Sequence, residues 1–165
     1  MASESIDTKS LKKLISLAEK LQEEGSSSKI NVFQPGAMKE IKMASLLGHN
    51  WVSSKKNADA CSKDGKELYE YLSAAEGKAV QIDRVFKNAP GYADKYKKSM
   101  DRIMRNKWIY FAFTNPDITR PLDILRIYEI EPDIVKQEAD RILTNSQNII
   151  SHLLSMRTSQ RKTAN

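Results

Sequence analysis

Asn57-Ala-Asp-Ala-Cys-Ser-Lys-Asp-Gly-Lys-Glu-Leu-Tyr-Glu-Tyr-Leu-Ser-Ala74 is the stretch from which the fold can be read. Residues Asn57 to Ser62 and Lys66 to Ala74 flank an Asp64-Gly65 pair. Asp-Gly between two runs of strand-forming residues is the strongest short-range signal for a β-hairpin. Strand residues alternate faces, so Leu68, Glu70 and Leu72 share one side and Tyr69 and Tyr71 the other. A glutamate between two leucines is costly if it is buried without a partner. Its face is wet, or holds a cation, or offers a basic residue. Asp59, between Ala58 and Ala60, poses the same problem on the adjoining strand. A hairpin can aim both acids into one crevice. The plainer alternative pairs them with Lys55, Lys56 or Lys66.

Outward from the hairpin, the chain alternates helical and extended signals. Leu11, Leu14, Ile15, Ala18 and Leu21 recur at helical spacing and predict a first helix with these residues inward. Lys29 to Phe33 reads as a short extended piece. A second helix is expected from about Ala37 to Leu47, with Met38, Ile41, Ala44 and Leu47 inward and Gly48 as its C-terminal cap. After the hairpin, Val80 to Phe86 and Tyr92 to Asn106 read as helical. Trp108-Ile-Tyr-Phe-Ala-Phe113 is a continuous apolar run, hence a buried strand. Leu122 to Ile130 predicts another strand, and Pro132 sits in the first turn of a last helix.

That helix is expected to run long, from about 132 to 156. Val135, Ala139, Ile142, Ser146, Ile149, Leu153 and Met156 mark a coiled-coil-like seam along it. The basic tail from Arg157 is expected to be disordered. The whole reads as one α/β domain over residues 1–165, with a mixed central sheet of four or five strands flanked by helices.

Composition narrows the function. The 165 residues carry a formal charge of +6, with a pI near 9.3, which favours a polyanionic partner. The single cysteine, Cys61, excludes an internal disulfide and suits a reducing cytoplasm. No apolar run is long enough to span a membrane, and the first residues are too polar for a secretory signal. The two histidines, His49 and His152, lie far apart, and zinc-type or nucleotide-binding spacings are absent. His49, after Gly48, reads as a helix-end residue. Basic residues crowd the stretch from Arg84 to Lys107, where Arg84, Lys87, Lys97, Lys98, Arg102 and Arg105 can track a phosphate backbone. Asp83, Asp94 and Asp101 dilute that charge. The loop from Asn115 to Arg120 offers side chains for base readout.

A helix bearing Glu40 in Met-Lys-Glu-Ile-Lys, then Asp59 in Asn-Ala-Asp-Ala-Cys, then Glu70 in Tyr-Glu-Tyr-Leu resembles the core of the PD-(D/E)XK nucleases. The order is most similar to their type II restriction endonuclease members. Gly77-Lys-Ala-Val-Gln-Ile-Asp-Arg-Val-Phe86, the Trp108 strand and Arg126-Ile-Tyr-Glu-Ile-Glu-Pro132 continue that order, so the resemblance covers about Gln34 to Leu143. It implies a restriction-endonuclease-like fold, a Mg²⁺ cofactor held by Asp59 and Glu70 with Glu40 assisting, hydrolysis of double-stranded DNA, and a homodimer whose symmetry matches a palindromic site.

The chain departs from the family at one position. The lysine expected two residues after Glu70 is Leu72, which has neither charge nor donor. Lys78, or Gln81 one turn on, is the candidate to replace it. The alternatives are a DNA-binding protein that keeps the nuclease fold without cleaving, and a helical self-associating protein in which the acids carry no function.

Overall fold

A computed structural model describes residues 8–24, 36–52, 58–78, 80, 84–86, 89–145, 148–150 and 162–163. Among these, four helices and eight strands alternate. Helix α1 is Thr8–Glu24 and α2 is Ala37–Leu47. Strands β1 (Asn50–Trp51), β2 (Ala60–Cys61), β3 (Leu68–Ala75) and β4 (Arg84–Phe86) follow. Then come α3 (Tyr92–Met104), β5 (Trp108–Thr114), β6 (Ile124–Ile130), α4 (Pro132–Asn145), β7 (Asn148–Ile150) and β8 (Lys162–Thr163).

The central sheet has the order β1-β2-β3-β5-β6, with the two-residue β8 on its β6 edge. β3 and β5 run parallel and the remaining pairs antiparallel. The sheet is therefore mixed and the fold α/β, as expected. Its one parallel pair needs a crossover, which α3 supplies. The predicted hairpin forms: the Gly65 N–H donates to the Ser62 carbonyl, and Gly65 takes the left-handed conformation (φ 73°) that the turn requires.

Alternation along the strands builds two apolar layers. Leu72, Ile109, Phe111 and Ile130 face one side, where Ile103 of α3 and Val135 of α4 cover them. Tyr69, Tyr71, Tyr110, Ala112 and Ile127 face the other, against Met43 and Ala44 of α2. Ile109 is fully enclosed, so Ile109→Ala is expected to cost about 3–4 kcal/mol. Ile118→Ala, at a loop tip 91% exposed, is expected to change stability by less than about 0.5 kcal/mol. Urea denaturation of the two variants checks both values.

Several expectations change. Arg84–Phe86 is a strand paired with Asn148–Ile150, not part of a helix. Val85 and Phe86 belong to the β-branched and aromatic residues that favour strands once a partner strand is available. For the same reason the last helix ends at Asn145 instead of near residue 156. Thr144 and Asn145 are weak helix formers, and Ile149 and Ile150 join β7. The seam does not continue as one helix: Val135, Ala139 and Leu143 are buried in α4, while Leu153 and Met156 lie outside the described residues. Within the basic tail, Lys162–Thr163 pairs with Tyr128 and Glu129.

Two inward assignments also fail. Among the described side chains of α1, Ala18 is buried, and Leu14 and Ile15 are exposed. Met38 of α2 is likewise exposed, and Met43 takes the core position. A helical stripe fixes which residues share a face, not whether a neighbour covers it. The Lys29 to Phe33 piece lies outside the described residues. Among the described residues, no helix is long and apolar enough to cross a membrane.

Candidate active site

The hairpin brings the two acids to neighbouring positions. Ala60 pairs with Tyr69, and Asp59 is the residue just before β2, while Glu70 follows Tyr69 on β3. The Asp59 backbone N–H donates to the Tyr69 carbonyl. The Asp59 carboxylate accepts the Tyr71 N–H at 2.8 Å.

Glu70 is 2% exposed and shares its face of β3 with Leu72. Its Oε1 accepts a hydrogen bond from Nη1 of Arg102, on α3. The buried glutamate thus has a basic partner, one of the solutions open to it, and that partner comes from helix α3.

Glu40 enters from α2. Its Oε2 accepts the Trp51 indole N–H at 3.1 Å. Gly36, which precedes α2, has φ 92°, and a Cβ there would stand 3.3 Å from Glu40 Oε1. Glycine therefore serves both the left-handed turn and the room for the carboxylate. Burial, with the charge of Glu40 nearby, pushes the Asp59 carboxyl up from 3.8 to about 6. The Tyr71 amide and the positive charges of Arg102 and Arg105 oppose that shift. Glu40, Asp59, Arg102 and Arg105 therefore share one electrostatic neighbourhood, and Glu70 joins it through Arg102.

The other candidates fall elsewhere. Leu72 is a core residue. Lys78 is exposed in the turn after β3, and its N–H donates to the Ala75 carbonyl. Glu70 to Ala75 is five steps of extended strand, about 17 Å at ~3.3 Å per residue. The structure therefore does not bring Lys78 to the acids. Gln81 and Lys87 lie outside the described residues, as does the side chain of Arg84.

Lys97 and Lys98 are exposed on α3. Lys95, Lys98, Arg102 and Arg105 follow the spacing i, i+3, i+7, i+10 and form a ridge along the helix that ends beside the acids. The Asn115 to Arg120 loop is ordered by its own side chains. Asn115 Oδ1 accepts the Asp117 N–H and Asp117 Oδ1 accepts the Thr119 N–H. It leaves the far end of β5, whereas Glu70 pairs with Ile109 near the start of that strand.

Sequence reasoning missed an aromatic cluster on the opposite face. His49 stacks on Tyr69 with ring centroids 4.1 Å apart, and its Nδ1 lies 2.8 Å from the Tyr71 hydroxyl. The Tyr110 hydroxyl donates to Glu129 at 2.8 Å. Burial lowers the His49 pKa and raises those of Tyr71 and Tyr110, which keeps the cluster neutral. The alternation of Tyr69 and Tyr71 was its visible signal; the arrival of His49 on top of them depends on how α2 ends.

Among the described residues, no three histidine, cysteine or acidic side chains converge closely enough to hold a metal ion on their own. Mg²⁺ asks less, since it takes one or two carboxylates and keeps several waters. Asp59 and Glu70 are carboxylates of the kind it takes. The raised proton affinity of Asp59 comes first from its burial and then from the charge of Glu40. No family model matches the chain, and no curated protein matches it.

Proposed function

We propose that this chain is a Mg²⁺-dependent endonuclease that hydrolyses phosphodiester bonds of double-stranded DNA in the manner of a type II restriction enzyme. The observation that carries the reading is the pair of acids, Asp59 just before β2 and Glu70 on the adjoining β3 of a mixed sheet, with a basic helix ridge ending beside them. Asp59 and Glu70 would hold the ion, with Glu40 next to Asp59. When bound, Mg²⁺ supplies an activated water and neutralises charge that develops on the phosphate.

The chain's own residues do the rest. Burial of Glu70 and the bond from the Tyr71 amide fix the carboxylates, and Lys95, Lys98 and Arg105 would seat the DNA backbone. Cutting both strands of a palindrome requires a two-fold partner, so a homodimer belongs to the reading. A cytoplasmic location suits a DNA substrate and a free Cys61.

A second reading is a non-catalytic DNA-binding protein with the nuclease fold. It is favoured by Leu72 in the core, where the nuclease motif has a lysine, and by Arg102 on Glu70. Nicking of supercoiled plasmid in Mg²⁺, absent with chelator, separates the two. Both require DNA binding that weakens with salt. Replacing Lys95 and Lys98 together by alanine is expected to lower the slope of log affinity against log salt by about 1.8, near 0.9 per lost phosphate contact. A salt-independent affinity, or none, rejects both readings.

A further inference from the structure

Glu70 needs positive charge whether or not a nucleic acid is bound, because an ionised carboxylate at 2% exposure is costly unless a cation compensates it. Arg102 provides that cation from α3, through Nη1 on Oε1. The same guanidinium favours the ionised form of Asp59, so its field covers both acids. We infer that Arg102 is the resident counter-ion of the acid cluster and competes with a divalent cation for Glu70. The inference rests on the reading of Asp59 and Glu70 as metal ligands.

Geometry makes the exchange feasible. The Arg102 side chain is 30% exposed while that of Glu70 is 3% exposed, so the guanidinium has a route to solvent that the carboxylate lacks. Lys98 lies one turn before Arg102 on the ridge and Arg105 one turn after. A guanidinium that leaves Glu70 therefore enters the basic row where a phosphate would lie. A divalent ion brings twice the charge to the same carboxylate, and a guanidinium held against that carboxylate repels it. This arrangement also accounts for the absence of a lysine at position 72. The positive charge beside Glu70 comes from helix α3 rather than from strand β3.

The test is binding of Mn²⁺ to the DNA-free full chain, followed by the electron paramagnetic resonance signal of the free ion. Arg102→Gln is expected to bind Mn²⁺ about tenfold more tightly than the wild type, the scale of one opposite charge close to a carboxylate. Arg102→Lys should fall between the two. Lys98→Gln, which loses the same net charge one turn away, should stay within about twofold of wild type, as exposed charges are screened. Arg102→Gln in a Glu70→Gln background should gain nothing.

A merely structural role for Arg102 would weaken binding when it is removed. Unchanged or weaker Mn²⁺ binding by Arg102→Gln overturns the inference, as does the absence of binding in both proteins. If Arg102→Gln is unfolded in chelator, recovery of its circular dichroism on Mn²⁺ addition supports the competition, and failure to recover overturns it. Plasmid cleavage is scored separately. Competition without cleavage removes the nuclease reading and keeps this one; cleavage without competition does the reverse.

Discussion

Asp59→Asn is expected to abolish plasmid cleavage, to leave DNA affinity close to that of the wild type, and to raise the melting temperature of the metal-free protein at pH 8. The loss follows from the proposed role as a metal ligand, since an amide oxygen carries no charge to hold Mg²⁺. The gain follows from its surroundings. The carboxylate accepts the Tyr71 N–H, and the asparagine carbonyl can accept the same bond. What disappears is a buried negative charge beside Glu40.

The folded carboxyl titrates at about 6 instead of 3.8, so between these values the folded chain holds a proton that the unfolded chain has released. Stability then falls as pH rises through that window, and the full cost is in place above it. Two pH units correspond to about 3 kcal/mol at most, and partial exposure brings the expected gain to about 1–2 kcal/mol, or roughly 3–6 °C for a chain of this size. The advantage of the variant should largely fade as pH is lowered to about 4, because the folded wild-type residue is then protonated and the unfolded one about half so. Calorimetry in chelator across that range measures it. Retained cleavage would remove Asp59 from the site. A lower melting temperature at pH 8 would make it a structural partner instead of a functional acid. An acid that costs stability where it stands is what a functional site produces.

Local rules carried most of the fold. The Asp64-Gly65 turn, the Gly48 cap, the Trp108 run and Pro132 each act within a few residues, and each lies where those rules put it. The failures share a different cause. Arg84–Phe86 and Asn148–Ile150 are strands because they pair with each other across more than sixty residues, and no local period reports a partner so distant. The exposure of Leu14 and Ile15 fails likewise, since periodicity names a face and not its neighbour.

The acids were legible because they sit on a hairpin, whose turn alone brings Asp59 back beside β3, where its carboxylate accepts the Tyr71 N–H next to Glu70. The partner of Glu70 was not. Arg102 belongs to the α3 ridge by sequence and looks like one more phosphate contact. Only the crossover that lays α3 over β3 and β5 brings it onto the carboxylate.

Leu72→Lys, the substitution that would complete the nuclease motif the sequence resembles, is expected to destabilise the protein rather than to activate it. Leu72 is 8% exposed, pairs with Phe111 across the ladder, and belongs to the cluster of Val80, Ile103, Ile109, Ile130 and Val135. Lysine there forfeits the leucine packing and brings an ammonium into an apolar layer, a loss of about 3–5 kcal/mol. Leu72→Met keeps the volume and should cost less than about 1.5 kcal/mol. The ammonium has one nearby remedy. Glu70 lies two residues away on the same face, about 7 Å along the strand, but its Oε1 is already taken by Arg102.

The double variant Leu72→Lys with Arg102→Leu hands Glu70 to the new cation. It should therefore be more stable than the sum of the two single changes, by about 1–2 kcal/mol, because contacting residues in one ion-pair network do not add. Urea denaturation of the four proteins in chelator closes the cycle. Additivity would mean that the position-72 side chain does not reach Glu70, and no lysine there could serve the site. Wild-type stability for Leu72→Lys alone would mean that the face beside Glu70 is wet, so that Leu72 is not what excludes a charge from it. The expected coupling would instead show two mutually exclusive ways of placing one positive charge beside one buried glutamate, with this chain using the helical one.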